Sequence, residues 1–139
     1  MLRLLAYWDH MRGERRLPAA EDIDVSVIGD DWPWCALLDA AADPGQYRFI
    51  YVGEHLRPAD WVDGGSRSLA DCPEGTLIRQ ATCYVERVRD KRAPVSVSGR
   101  FAAGERAFLY RSIILPLSAD GVVIDSLLAG ANFREITDV

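Results

Sequence analysis

Apolar and polar residues alternate along the last third of the chain, with the period of β-strands that bury one face. The first alternating run opens at Pro94 and ends at a turn marked by Gly104. Residues 105–118 form a second run, which is rich in β-branched and aromatic residues. A tight-turn signal at Asp120-Gly121 separates it from a third run, residues 121–133. The pattern therefore predicts three consecutive antiparallel strands.

Apolar residues at helical spacing predict two helices. The first covers residues 2–13. Its apolar stripe comprises Leu4, Leu5, Trp8 and Met11. The second extends from residue 73 to about residue 91. It ends before Pro94, because proline removes a helical hydrogen bond and clashes with the preceding turn.

A hairpin is predicted between these helices. Residues 34–53 hold two short strands around the turn Asp43-Pro44-Gly45, where proline presets φ and glycine permits the bend. Residues 54–71 are interrupted by Pro58 and Gly64-Gly65, which favours short helical turns joined by loops. The predicted order is one helix, two strands, short helices, a longer helix and three strands.

The strand predicted at residues 105–118 is apolar on both sides. Leu109 and Ile113 share one side, and Phe108 and Ile114 share the other. A strand of this kind has both faces covered. Helices inserted after the second strand can cover only one face. We expect the N-terminal helix or a second subunit to cover the other.

Composition indicates one ordinary globular domain. The chain has 139 residues and is 49% hydrophobic, which is enough for a single core. We expect residues 1–31 to form an N-terminal helix and linker, and residues 32–139 to form a single globular unit.

The charge excludes two classes of partner. A net charge of −5 argues against general affinity for nucleic acid or an anionic membrane, because phosphate binding needs clustered lysine and arginine. No segment approaches the roughly 20 apolar residues of a membrane span. No cleavage site follows the short apolar start of the chain. We expect a cytoplasmic protein with neither nucleic acid nor membrane as a partner.

No cluster of residues in the sequence indicates catalysis. The two histidines, His10 and His55, lack a second ligand at metal-binding spacing. The odd number of cysteines argues against a closed disulfide framework. These cysteines are Cys35, Cys72 and Cys83. We expect no metal, haem or flavin cofactor and no enzymatic activity.

Several short segments, in order, resemble a known family. They are Tyr7-Trp8, Arg16-Leu17-Pro18, Asp22-Ile23-Asp24, Leu37-Leu38-Asp39, Arg48-Phe49 to Val52-Gly53, Pro94-Val95 and Leu115-Pro116-Leu117-Ser118. Together they are similar to the divergent bacterial PAS-like domains, in which an N-terminal helix and a "YW…P…DID" linker precede the sheet. The resemblance implies an α+β, PAS-like fold: a five-stranded antiparallel sheet, helices inserted between strands 2 and 3, and an N-terminal helix.

The resemblance also implies a kind of function. Such domains are ligand-sensing or protein-interaction modules, often encoded alone, with no established common ligand and no catalytic residues to carry over. PAS domains that act as flavin photoreceptors carry a reactive cysteine in an Asn-x-Cys-Arg-Phe-type motif. Neither Cys72 nor Cys83 lies in such a motif.

The PAS resemblance places a ligand between the helical insert and the inner face of the sheet. The candidate ligand-binding residues are Tyr51, Trp61, Tyr84 and Arg111. The indole of Trp61 is either a stacking surface for a ligand or core filler.

Arg111 lies within an apolar strand and needs a partner, since an unpaired buried charge is costly. An anionic ligand could supply that partner, and so could Asp39 or Asp125. We expect a structural salt bridge, with ligand recognition as the alternative.

Three functions remain open. The leading hypothesis is a PAS-like sensory or regulatory domain that binds a small molecule or a signalling protein and acts through a separate output protein. The second is a small cone-shaped α+β enzyme or carrier with a pocket between a curved sheet and helices. The third is a dimerisation module with a filled core.

We also expect a homodimer whose interface uses Leu4, Trp8 and Met11 of the N-terminal helix.

Overall fold

Five antiparallel strands form one sheet. The computed structural model describes residues 2–58, 60–61 and 67–137. In chain order the strands are β1 Cys35–Asp39, β2 Arg48–Val52, β3 Val95–Ala103, β4 Arg106–Leu117 and β5 Ser126–Glu135. Their order across the sheet is β2-β1-β5-β4-β3, and every neighbouring pair is antiparallel. The early hairpin and the C-terminal three-strand meander are both confirmed.

Helices lie where the predicted fold requires them. Those of the described residues are α1 Leu2–Arg12, α2 Val25–Ile28, α3 Leu77–Thr82 and α4 Val85–Lys91. The helices α3 and α4 belong to the insert between β2 and β3, so the predicted α+β architecture, a five-stranded antiparallel sheet with helices inserted between strands 2 and 3 and an N-terminal helix, is confirmed. Within the described part of the chain, no helix combines the length and the apolar character needed to cross a membrane.

Different helices cover the two faces of the sheet. The helices α3 and α4 pack on the face that carries Ser112, which we call the inner face. The helix α1 packs on the opposite, outer face, where Arg111 and Ile113 lie. Trp8 of α1 is buried, and its indole N–H donates to the carbonyl oxygen of Pro116 at 2.8 Å. The N-terminal helix of the same chain is therefore the cover expected from the two-sided apolar strand.

The helix predicted at residues 73–91 is two helices. It begins at Leu77, after Thr76 accepts a hydrogen bond from the backbone N–H of Arg79 at 3.4 Å. It is interrupted at Tyr84, whose backbone leaves helical geometry with φ −115° and ψ 27°. The phenol of Tyr84 reaches a buried partner on the sheet. Periodicity within the segment does not reveal this tertiary contact.

The last strand begins later than the turn signal predicts. It starts at Ser126, and a loop occupies the residues before it. Asp120 holds this loop by accepting hydrogen bonds from the backbone N–H groups of Val122 and Val123 at 2.8 and 2.9 Å. Local side-chain bonds of this kind compete with strand pairing.

One further segment differs in detail from the prediction, and another agrees with it. The linker contains the short helix α2, which begins where the carboxylate of Asp24 accepts from the backbone N–H of Ser26 at 3.0 Å. The helical insert contains a 3₁₀ turn at Leu69–Asp71. The predicted break at Gly64-Gly65 lies outside the described residues.

Candidate functional site

The four residues predicted to bind a ligand do not meet in one place. Trp61 and Tyr84 lie with the core that packs on the inner face. Tyr51 pairs with Leu37 across the hairpin, which places it on the outer face. Arg111 is exposed on that outer face, toward the other end of the sheet. The predicted cluster therefore consists of residues on both sides of the sheet.

Tyr84 has a partner within the chain. Its side chain is buried, and its hydroxyl is 2.6 Å from the hydroxyl of Ser112. Ser112 also donates to the carbonyl oxygen of Ala81 at 3.3 Å. Burial raises the pKa of Tyr84 far above its ordinary value, so the phenol stays protonated. This hydrogen-bond network joins α3 to the sheet.

Trp61 and Tyr51 also make contacts inside the chain. The indole of Trp61 is 4% exposed and meets the ring of Phe49 edge-on at 5.8 Å. The ring of Tyr51 stacks on Trp32 at 4.2 Å. The hydroxyl of Tyr51 donates to the backbone carbonyl of the same tryptophan at 3.1 Å. These contacts favour the interpretation of Trp61 as core filler.

The expected salt bridge of Arg111 is wrong. Asp39 accepts from the backbone N–H of Ala41 at 3.0 Å, and Asp125 accepts from the backbone N–H of Ala119 at 2.8 Å. Both carboxylates therefore close local turns. Arg111 is exposed rather than buried, so it does not need an internal counter-charge.

The outer face carries an open groove lined by four arginines, which we call the arginine groove. Its volume is about 860 Å³. The polar groups that line it are Arg3, Asp31, Ser98, Arg100, Arg111, Asn132 and Arg134. Arg3 comes from α1, and the other three arginines come from the three strands of the meander. The groove is therefore formed by rigid elements rather than by loops alone.

Strand register brings the three sheet arginines together. Arg111 of β4 lies between Ser98 of β3 and Asn132 of β5. Two residues before Arg111 on the same strand, Leu109 lies between Arg100 of β3 and Arg134 of β5. With strands about 5 Å apart and residues of one face about 7 Å apart along a strand, the three Cα atoms are roughly 8–10 Å from one another. Three flexible guanidinium groups can therefore meet over one ligand.

These three arginines have no carboxylate partner among the described residues. Arg3 differs, because it is bound to Asp31 at 2.8 Å. At separations of 8–10 Å, two unit charges in water repel by roughly 0.5 kcal/mol, so each of the three pairs opposes folding slightly. An anion placed among them would turn this repulsion into attraction.

A second groove of about 580 Å³ continues from the first beneath α1. Arg3 and Arg111 border both grooves. Leu5 and Ile113 add apolar surface to the second. The two grooves together offer cationic groups beside an apolar floor, and the end of α1 lies between them.

Cysteine and histidine chemistry gives no competing site. Within the described residues, no group of three metal-ligating side chains is close enough to hold an ion. His55 stacks on Trp34 at 4.4 Å. Burial raises the pKa of the Cys35 thiol to about 12 and also raises that of Cys72, so both stay protonated at neutral pH.

Sequence reasoning selected Arg111 but missed Arg100 and Arg134. Alternation already places Arg100 on the polar side of the first meander strand. The same alternation places Arg134 on one face of the last strand. Cross-strand register decides that Arg100, Arg111 and Arg134 lie on the same face of the sheet, and a single sequence does not show this register.

Comparison with known proteins finds similar solved structures. One is the light-state structure of the blue-light photoreceptor Aureochrome1 LOV, with 14% identity over 74% of this chain and 86% of that chain and a TM-score of 0.44. Another is a fungal LOV domain photoreceptor, with 16% identity over 84% of this chain and 94% of that chain and a TM-score of 0.47. At these values neither likeness bears on the ligand or the activity of this chain. No protein-family model and no curated protein sequence matches it.

Proposed function

We propose that this chain is a PAS-like sensory or regulatory domain that recognises an anionic group in the arginine groove. The observation that carries the proposal is the convergence of Arg100, Arg111 and Arg134 on one face without carboxylate partners among the described residues. The whole chain has a net charge of −5, so this attraction for anions is local. Arginine suits the role because its planar fork binds carboxylate or phosphate oxygens in pairs.

Binding is favoured over catalysis by the composition of the groove. Among its described lining residues the one carboxylate is Asp31, and it is already bound to Arg3. General acid–base catalysis needs a group that can exchange a proton near neutral pH, which arginine does not do. The arrangement therefore supports recognition rather than a reaction.

The bond between Arg3 and Asp31 links the groove to the N-terminal helix. Arg3 lines the groove and belongs to α1. An anion bound beside Arg111 competes with Asp31 for Arg3, because the guanidinium groups of Arg3 and Arg111 border the same space. Occupancy would then shift α1, and a signalling protein that contacts this helix would receive the signal.

Titration with small anions tests the proposal. We expect citrate and inorganic phosphate at low salt to shift the backbone amide resonances of Ser98 and Asn132, whereas chloride at the same ionic strength does not. The double variant Arg111→Ala, Arg134→Ala should weaken citrate binding by up to about thirty-fold, since two exposed ion pairs of up to 1 kcal/mol each are lost. The matched control is Arg87→Ala, which removes the same type of charge from an exposed position on α4.

The control variant should bind citrate as the unaltered chain does. Equal responses in all three proteins, or equal shifts with chloride, would mean general ionic screening and would overturn the proposal.

A further inference from the structure

The two edge strands of the sheet, β2 and β3, differ in their backbone hydrogen bonds to the rest of the chain. At the β2 edge, the backbone N–H of Phe49 donates to the carbonyl of Arg67 at 2.7 Å, and the N–H of Leu69 donates to the carbonyl of Tyr47 at 2.8 Å. That edge is therefore paired by the chain itself. At the β3 edge, no backbone hydrogen bond to a further segment occurs within the part of the chain that the structure describes. Gly75 lies close to the carbonyl oxygen of Ala102, so the outward-facing N–H and C=O groups of β3 that precede this end of the strand are the ones open to another strand.

The free edge is long and regular. The strand β3 has nine residues, and it pairs with β4 in continuous register from Val95 to Ala103. Natural edge strands are usually protected by a bulge, an internal proline or a lysine. Within its span β3 has no bulge, proline or lysine, and Arg100 is its one charged residue of the kind that protects an edge. Such an edge can accept an additional antiparallel or parallel strand.

The side chains along β3 specify what kind of strand fits. On the outer face, Ser96, Ser98 and Arg100 are exposed. On the inner face, Val97 and Phe101 are partly exposed beside the core. A strand added at this edge would place alternate residues next to the polar row and the apolar row. An alternating acidic and apolar segment matches both.

Two arginines of the groove lie within reach of such a strand. Arg100 is on β3 itself, directly opposite the added residue. Arg111 is on β4, about 10 Å from the added strand, and the small side chain of Ser98 lies between them. Arg134 is on β5, about 14 Å away, which is one strand spacing beyond Arg111 and too far for a direct ion pair with a side chain of the added strand.

We infer that the β3 edge accepts an extended acidic segment of a partner protein as a sixth strand, with its carboxylates on Arg100 and Arg111. The inference rests on the anion preference proposed for the arginine groove and narrows it to one class of partner. Backbone hydrogen bonds to β3 supply affinity, and the alternating side chains set the register. An open groove suits a polymer better than a small molecule, because small-molecule sites enclose most of the ligand's surface.

Binding to the full chain can be measured by fluorescence anisotropy with a labelled, end-blocked peptide of alternating glutamate and valine, four of each. Two N-methylated versions are the decisive probes. One is methylated on every amide of the glutamates and the other on every amide of the valines. In an added strand, alternate amides face the sheet, so we expect one version to lose binding and the other to retain it. A peptide with lysine in place of glutamate should not bind.

Variants of the chain distinguish the binding of an added strand from the binding of a small anion. Arg100→Ala and Arg111→Ala should each weaken the peptide about five-fold, the size of one exposed ion pair. Arg134→Ala should change peptide binding by less than about two-fold while it still weakens citrate.

Equal loss, or equal retention, with the two methylated peptides would overturn the inference. Citrate binding without peptide binding would overturn it while leaving the proposed function intact. Failure of both probes would reject the proposed function together with this inference.

Discussion

Two buried side chains of this protein, Trp8 and Tyr84, have hydrogen-bond partners within the chain. The indole N–H of Trp8 donates to the carbonyl of Pro116, and the phenol of Tyr84 meets the hydroxyl of Ser112. Each joins a helix to the sheet over a long sequence separation. Buried donors without partners are costly, so these pairs restrict how the helices can dock.

Trp61→Ala tests whether this tryptophan is core filler or the wall of a ligand cavity. Because the side chain is 4% exposed and contacts Phe49, we expect a loss of about 3–5 kcal/mol in the free energy of unfolding, measured by urea titration. Trp32→Ala is the control, since Trp32 is half-buried and should cost less. A loss below about 1 kcal/mol together with weaker binding of a co-purified small molecule would favour the cavity.

Asp120 should make one loop sensitive to acid. Backbone N–H groups of Val123 and Val122, followed by the hydroxyl of Ser118, lower the pKa of Asp120 to about 2. Since the folded pKa is depressed, the stabilisation is complete above about pH 4, the unfolded value, and is lost as the pH falls through about 2.

Carboxyl carbon NMR across this range should show Asp120 titrating with a pKa of about 2. The hydrogen-exchange protection factors of the Val122 and Val123 amides, taken relative to the intrinsic exchange rate at each pH, should fall in the same window. Asp120→Asn should remove the acid step, and an ordinary titration near pH 4 in the unaltered protein would refute the assignment.

At the scale of elements, Gly53 at the end of the β1–β2 hairpin packs closely against the backbone of Pro33, in the turn that precedes β1. A Cβ on Gly53 would lie 2.2 Å from the carbonyl oxygen of Pro33, which is rigid backbone. A Cβ on Gly99 would lie 3.2 Å from the ring edge of Tyr110, which can rotate aside. The two positions therefore differ in the kind of neighbour and not only in distance.

Gly53→Ala should destabilise the protein by about 3 kcal/mol or more, because Pro33 and the strand β1 must move. Gly99→Ala is the matched variant and should cost about 1 kcal/mol or less. Thermal unfolding of both proteins compares them directly. Similar melting temperatures for the two variants would show that the backbone around Pro33 adapts easily.

Comparison of the elements also shows where hydrophobic periodicity fails to predict the secondary structure. The helix predicted at residues 2–13 and the first two strands of the meander lie close to their predicted bounds, because their patterns extend along the whole element. The helix predicted at residues 73–91 does not, because Tyr84 leaves helical geometry and bonds with Ser112 on the sheet. A contact between distant segments overrode a helical pattern there.

At the scale of the whole molecule, charge is distributed unevenly. The chain is acidic overall, with a net charge of −5, yet the outer face gathers Arg3, Arg100, Arg111 and Arg134. The net charge opposes association with general polyanions, so the proposed anion recognition depends on this local cluster.

The homodimer remains a prediction. Leu4 and Trp8 are buried against the sheet of their own chain, and Met11 is half-buried, so the predicted interface residues already have contacts. We expect the full chain to sediment as a dimer. Deletion of residues 1–13 should give a monomer or an aggregating protein, because it uncovers the apolar part of the outer face near Ile113. A truncated chain that stays dimeric and equally stable would contradict the prediction.

The sequence by itself determined the strands and their two faces, because side-chain alternation and helical periodicity depend only on neighbours along the chain. The architecture was predicted from the order of the elements together with the family resemblance. The sequence also placed Arg111 on the same side as Ile113. Only the tertiary structure decided that Arg100 and Arg134 lie beside Arg111, that α1 covers its own sheet, and that the β3 edge is free within the described residues. Register and docking depend on pairing between distant segments, and many such pairings share the same local pattern.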